Sequence, residues 1–229
     1  GLPTARIVGA LKEVGIVLIA SVTSLADARA AEAAGIDAVV AQGIEAGGHR
    51  GVFDSDGPDD ALGVMALTRL LVRETALPVI AAGGIMDGAG IAAVLDLGAV
   101  AAQLGTAFIA CSESAADDGY RRALSGPGAC HTTMTRAISG RPARVLENRF
   151  TKLAATIGDY RPPDYPIAYD AGKALHFAAK ARGDNGFGAQ WAGQGAPLAR
   201  ALPAAALVAQ LRSELEATLR MRALGVERV

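Results

Sequence analysis

Three short stretches of the 229-residue sequence hold residue types that can do chemistry. The first is Gln42-Gly-Ile-Glu-Ala-Gly-Gly-His-Arg-Gly51. Its glycines permit left-handed turns and let the chain lie close against a flat ligand. His49 projects from this loop, and imidazole is the side chain best matched to proton transfer near neutral pH. The competing reading is a hydrogen-bonded loop histidine that only braces the turn. The second stretch is Gly83-Gly84, and the third is Gln103-Leu-Gly-Thr106. Each follows a buried apolar run, so backbone N–H groups can face an anion with no Cβ in the way. Relief of crowding at the end of a strand is the plainer alternative for these glycines. Glu45 and Arg50 could form a second acid–base pair, but a solvated or loop-bracing salt bridge is the simpler role. His176 falls in a helix over residues 171–181 and reads as structural.

These stretches sit in a repeating pattern of apolar run and amphipathic helix. Residues 15–22 are apolar without alternation, which predicts a strand buried on both faces. Ser24-Leu-Ala-Asp27 predicts a capped helix start, with Gly35 as its stop. Further strands are expected at residues 38–42, 78–82 and 99–104, with helices over about 60–75 and from Asp87 to Gly98. Strand alternating with helix implies a parallel sheet with right-handed crossovers. Polar or glycine residues end every strand at equivalent places, and no Gly-x-Gly-x-x-Gly turn follows an early strand. Both features favour a (β/α)8 barrel over an open doubly wound sheet. The loops after strands 7 and 8 of such barrels commonly cradle phosphate, which fits Gly83-Gly84 and Gly105-Thr106. Closure needs about eight strands, so these four are expected to be strands 5–8, the C-terminal part of the barrel. Residues 1–125 are then that half-barrel, and 126–229 a following segment with two helices. The last helix starts near Pro203 and carries Leu207, Leu211, Leu215 and Leu219 on one stripe.

Composition narrows the partners. A net charge of −1 argues against a nucleic-acid surface. Only two cysteines occur, Cys111 and Cys130, without metal-ligand spacing, so free thiols in a reducing cytoplasm are expected. Residues 91–110 imitate a membrane span, but Gly98, Gln103 and Gly105 interrupt it. No secretory signal, metal cluster or Gly-x-Ser-x-Gly elbow is visible.

Taken together, residues 42–51, Pro78-Val-Ile-Ala-Ala-Gly-Gly-Ile85 and Gln103-Leu-Gly-Thr-Ala-Phe108 resemble the nitronate monooxygenases, formerly called 2-nitropropane dioxygenases. The segments Thr135-Arg-Ala-Ile-Ser-Gly-Arg-Pro-Ala-Arg144, Asn148-Arg-Phe150, Tyr165-Pro-Ile-Ala-Tyr-Asp-Ala-Gly-Lys173 and Trp191-Ala-Gly-Gln194 resemble the bacterial class I enzymes. The resemblance implies an FMN-dependent (β/α)8 barrel whose first strands precede Gly1. It implies that His49 takes the α-proton of a neutral nitroalkane. It also sets Gln42, Gly47 and Gly48 against the flavin, and Gly83, Gly84, Gly105 and Thr106 around its phosphate with Gln103 beside them. Tyr165, Tyr169 and Lys173 would then lie near the substrate. The partners implied are a small nitronate or nitroalkane and O2, with neither nucleic acid nor membrane.

The nearest rival is an FMN-dependent enoyl-acyl-carrier-protein reductase or an NAD(P)H:quinone reductase, which share the fold and a similar glycine–histidine loop. A non-catalytic phosphate-binding fragment of the barrel is the rival of another class. Lacking the first strands, these residues alone are expected to bind FMN poorly.

Overall fold

The computed structural model describes residues 1–158 and 160–224. The chain opens with α1 (Ala5–Glu13), β1 (Ile19–Val22), α2 (Leu25–Ala33), β2 (Ala38–Gln42) and the two-residue β3 (Gly48–His49). It continues with α3 (Val64–Glu74), β4 (Val79–Ala82), α4 (Gly88–Asp96) and β5 (Ala101–Gln103). Beyond these come α5 (Asp118–Ser125), β6 (Thr132–Thr135), β7 (Ala143–Leu146), α6 (Arg149–Ala155), α7 (Ile167–Lys180) and α8 (Ala204–Ala223). The chain divides into two compact units. One holds residues 1–45, 51–104 and those from 202 onward, and the other holds 46–50 and 105–201.

In the first unit β1, β2, β4 and β5 pair side by side, all parallel. The order follows the sequence without reversal, as consecutive barrel strands do, whereas a doubly wound sheet reverses at its switch point. The α/β barrel class read from the sequence therefore stands. Val22, Val39, Ala41 and Val79 pack with Leu67 and Leu71 of α3 and with Ala28 and Ala31 of α2. Local signals set the helix starts as expected. Ser24 accepts the Asp27 N–H at 3.1 Å, and Asp87 accepts that of Gly90 at 2.7 Å. Strand register puts Gln42 beside Ala82, and Ala82 beside Gln103. Gln42, the Gly83-Gly84 turn and Gln103 thus occupy the same, C-terminal end of the sheet.

Two expectations need correction. Residues 15–18 lie outside β1, and the strand is not buried on both faces. Ala20 and Val22 enter the helix-side core, while Ile19 and Ser21 project from the other face and are exposed. A run of apolar residues reports average hydrophobicity, not which faces are covered. The leucine stripe of α8 also fades. Leu207 and Leu211 are buried, but Leu219 is 44% exposed. The helix is held near its middle instead, where the Glu214 carboxylate accepts the Gly88 N–H that opens α4, at 3.0 Å.

The second unit contains a sheet that local pattern did not disclose, with β3, β7 and β6 antiparallel in that order. Residues 132–144 read as an irregular Thr/Arg-rich segment because they lack a clear apolar alternation, although β6 and β7 are consecutive strands that pair as a hairpin, and β3 joins β7 from far along the chain. Among the described residues no helix is long and apolar enough to cross a membrane, and no His, Cys, Asp or Glu cluster could hold a metal ion. Cys111 is a buried free thiol, and Cys130 an exposed one.

Candidate active site

The loop that carries His49 is fixed at its backbone. Gly48 pairs with Arg144 and His49 with Ala143, and the Arg50 N–H donates to the Pro142 carbonyl at 2.9 Å. Gly47 lies so close to residues 192–193 that a Cβ there would sit 2.4 Å from the Gly193 nitrogen and 2.5 Å from the Ala192 carbonyl carbon. Gly193 in turn donates its N–H to the Thr106 hydroxyl at 3.0 Å. The glycine loop, the 191–194 segment and Thr106 are therefore one packed assembly within the second unit.

The imidazole stands among three aromatic rings. Centroid separations from His49 are 5.7 Å to Tyr165, 6.1 Å to Tyr169 and 5.2 Å to Trp191. Tyr165 lies just before α7 and Tyr169 in its first turn, and their rings stack at 6.1 Å. Lys173, one turn further, holds its ammonium 4.3 Å above the Tyr169 ring. The Trp191 carbonyl accepts the Tyr120 hydroxyl, and burial holds that phenol well above its ordinary range. The indole's backbone is anchored as well, by a bridge between Trp191 and Val145.

Polar contact to the imidazole comes from Ser139, whose Oγ lies 2.8 Å from His49 Nε2. Burial, and then the positive charge of Arg141, hold the imidazole below the ordinary histidine pKa. Both effects favour the neutral imidazole, which is walled on several sides by aromatic surface. Arg141 and Lys173 bring positive charge to the same unit.

The remaining predicted residues belong to the first unit or to the chain just beyond β5. Gln42 uses its side-chain oxygen to accept the Gly51 N–H at 2.8 Å, which ties down the far end of the loop. Gly84 has φ +68, a conformation that favours glycine, and it is exposed. Among the described residues no acceptor takes the N–H of Gly84 or Ile85. Such donors at the end of a parallel strand suit an anionic oxygen. Gly105 offers open space, with nothing within 4 Å of where a Cβ would stand. The open Gly84–Ile85 turn by itself fits a phosphate group. Glu45 is a bracing residue, as its carboxylate accepts the Val64 N–H at 2.9 and 3.0 Å and caps α3. Arg50 is 2% exposed and therefore not solvated. His176 lies in α7, 3.8 Å from Asp117.

No local pattern marks Ser139, Arg141 or Trp191 as individual site residues. Their only signal was membership in the segments 135–144 and 191–194.

The family model of nitronate monooxygenases matches residues 1–214. A nitronate monooxygenase of Paraburkholderia phytofirmans is 65% identical over 219 residues, covering 96% of this chain and 60% of that protein. One from Pseudomonas aeruginosa is 57% identical over 215 residues, covering 94% and 61%. The chain thus spans about three fifths of the length of these relatives. Among solved structures, a nitroalkane oxidase from Streptomyces ansochromogenes superposes with a TM-score of 0.90 at 44% identity, over 96% of this chain and 63% of that one. FabK from Thermotoga maritima superposes with a TM-score of 0.79 at 32% identity, over 97% and 68%.

Proposed function

The chain belongs to the nitronate monooxygenase family, and from that membership we propose that it forms the base-bearing part of an enzyme that oxidises alkyl nitronates, and neutral nitroalkanes, with O2 to a carbonyl compound and nitrite. The observation that carries the reading is a neutral, half-buried His49 held among Tyr165, Tyr169 and Trp191. FMN, the cofactor implied by the family resemblance, would supply the electron transfer that no side chain offers. Gly83, Gly84, Gly105 and Thr106 are the residues that would hold its phosphate, and Gln42, Gly47, Gly48 and Gln103 those that would meet its ring system.

The protein's own part is binding and proton handling. A nitronate already carries the charge that deprotonation creates, so it needs no base. A neutral nitroalkane must first surrender its α-proton, and His49 receives it. The aromatic rings give the alkyl chain an apolar surface and keep water from the imidazole. Tyr165, Tyr169 and Lys173 thereby form the substrate side of the site, with Lys173 and Arg141 placing positive charge where an anionic nitro group gains from it. The likeness to FabK keeps a nicotinamide-dependent reductase as a second reading, though its identity and superposition are both lower than those of the nitroalkane oxidase.

Two results are expected. The groups facing His49 include Ser139, Arg141, Tyr165, Tyr169 and Trp191, and the imidazole's pKa is lowered. The unprotonated base is therefore present above a value below 6.5. Turnover of a neutral nitroalkane should rise with pH through that low value and be flat by neutrality, whereas nitronate turnover should show no such limb. A rising limb centred above 6.5 contradicts this. The second concerns Gly105, whose φ of −111 and open surroundings accept a methyl group without strain. Gly105→Ala should leave the melting temperature unchanged but weaken FMN binding, read by fluorescence titration of the flavin. Unchanged affinity would remove Gly105 from the phosphate site.

A further inference from the structure

The Ser139 hydroxyl is completely buried, and nothing in the reaction as described uses it. Its Oγ lies 2.8 Å from His49 Nε2, 3.2 Å from the Arg141 carbonyl oxygen and 3.4 Å from the Arg141 nitrogen. A hydroxyl has one proton to give and two lone pairs to receive with. The Arg141 carbonyl can only accept, and the Arg141 N–H can only donate. If the serine proton goes to the carbonyl, the third partner, His49, has to be a donor at Nε2.

We propose that Ser139 is a positioning residue that holds the neutral His49 in its Nε2–H tautomer, so that the substrate proton is received at Nδ1. This rests on the reading of His49 as the base, and it adds which nitrogen acts and what sets it. The arrangement has a consequence for proton transfer. Once Nδ1 is protonated, the imidazolium still donates from Nε2, so the Ser139 contact serves both states without rearrangement. With the opposite tautomer, the hydroxyl would have to leave the carbonyl to donate to Nε2, then turn away as the ring gained its proton. A base whose hydrogen bonds already suit its protonated form avoids that reorganisation.

The backbone supports the same role. Ser139 and Arg141 lead directly into β7, whose Ala143 pairs with His49, and the Pro142 carbonyl binds the Arg50 N–H. One short segment thus fixes the main chain, ring orientation and tautomer of His49 together. The contact spans 90 residues of sequence.

The test is 15N-histidine NMR of the intact protein, with and without FMN, with the His49 signals assigned by their disappearance in His49→Asn. The expected wild-type spectrum at neutral pH has the proton on Nε2 and an unprotonated Nδ1. A dominant Nδ1–H form overturns the proposal without recourse to any variant. Ser139→Ala, checked for folding by its melting curve, should give a mixture of tautomers. It should also slow neutral nitroalkane turnover by about tenfold, part of the 10²–10⁴ a general base contributes, while nitronate turnover holds. A Ser139→Ala spectrum identical to wild type also overturns it. Failure of the base reading looks different, since His49→Asn would then slow both substrates alike while the tautomer result stood.

Discussion

His49→Asn is expected to abolish turnover of neutral nitroalkanes while largely sparing alkyl nitronates. Asparagine keeps a polar group near the Ser139 hydroxyl but has no nitrogen that accepts a proton near neutral pH. The neutral substrate then loses the whole general-base contribution, about 10²- to 10⁴-fold in rate. A nitronate arrives already deprotonated and forfeits only whatever contact the ring makes with it. Steady-state O2 consumption with the same alkyl group in both protonation states gives the comparison directly. Equal losses on the two substrates would mean that His49 does not act simply as a base.

Gly47→Ala is expected to lower both stability and activity, and on both substrates alike. The added Cβ would meet the backbone of residues 192–193 at 2.4–2.5 Å, and backbone cannot swing aside as a flexible side-chain end can. Overpacking of this kind costs about 1–3 kcal/mol, and the close distances place this site at the upper end. Relief requires the 46–50 loop to separate from the 191–194 segment. That would disturb the pairing of Gly48 and His49 with β7 and move the imidazole from Ser139. It also disturbs Gly193, whose N–H reaches Thr106. A melting curve and nitronate-dependent O2 uptake check this. A variant with unchanged stability and unchanged nitronate turnover would show that the close packing at Gly47 is not needed.

The parallel sheet and the helix starts could be read in the sequence because their signals are local. Ser24 and Asp87 cap helices three residues ahead, and the apolar runs at 38–42 and 79–82 mark strands wherever they pair. The coverage of β1 was misread, since hydrophobicity alone does not say what lies over each face. The β3–β7–β6 sheet escaped notice for a different reason. Two residues make β3, with partners far along the chain, and the local β6–β7 hairpin carries no clear apolar alternation to mark it.

The site shows the same divide. His49 and the glycine turns stand out by residue type within a loop, whereas Tyr165, Tyr169 and Lys173 were marked only by the family resemblance. Ser139, Arg141 and Trp191 act through contacts across long separations, which no window on the sequence contains. The family resemblance gathered the segments that hold them without saying what each touches.

Nitronate oxidation is tested most directly on the flavin-loaded intact protein, with O2 uptake followed on adding an alkyl nitronate and NADH oxidation followed separately. Nitronate-dependent O2 consumption with release of nitrite, and no requirement for NADH, is the expected result. NADH oxidation without any nitronate-dependent O2 uptake would contradict it, and would move the protein to the reductase reading.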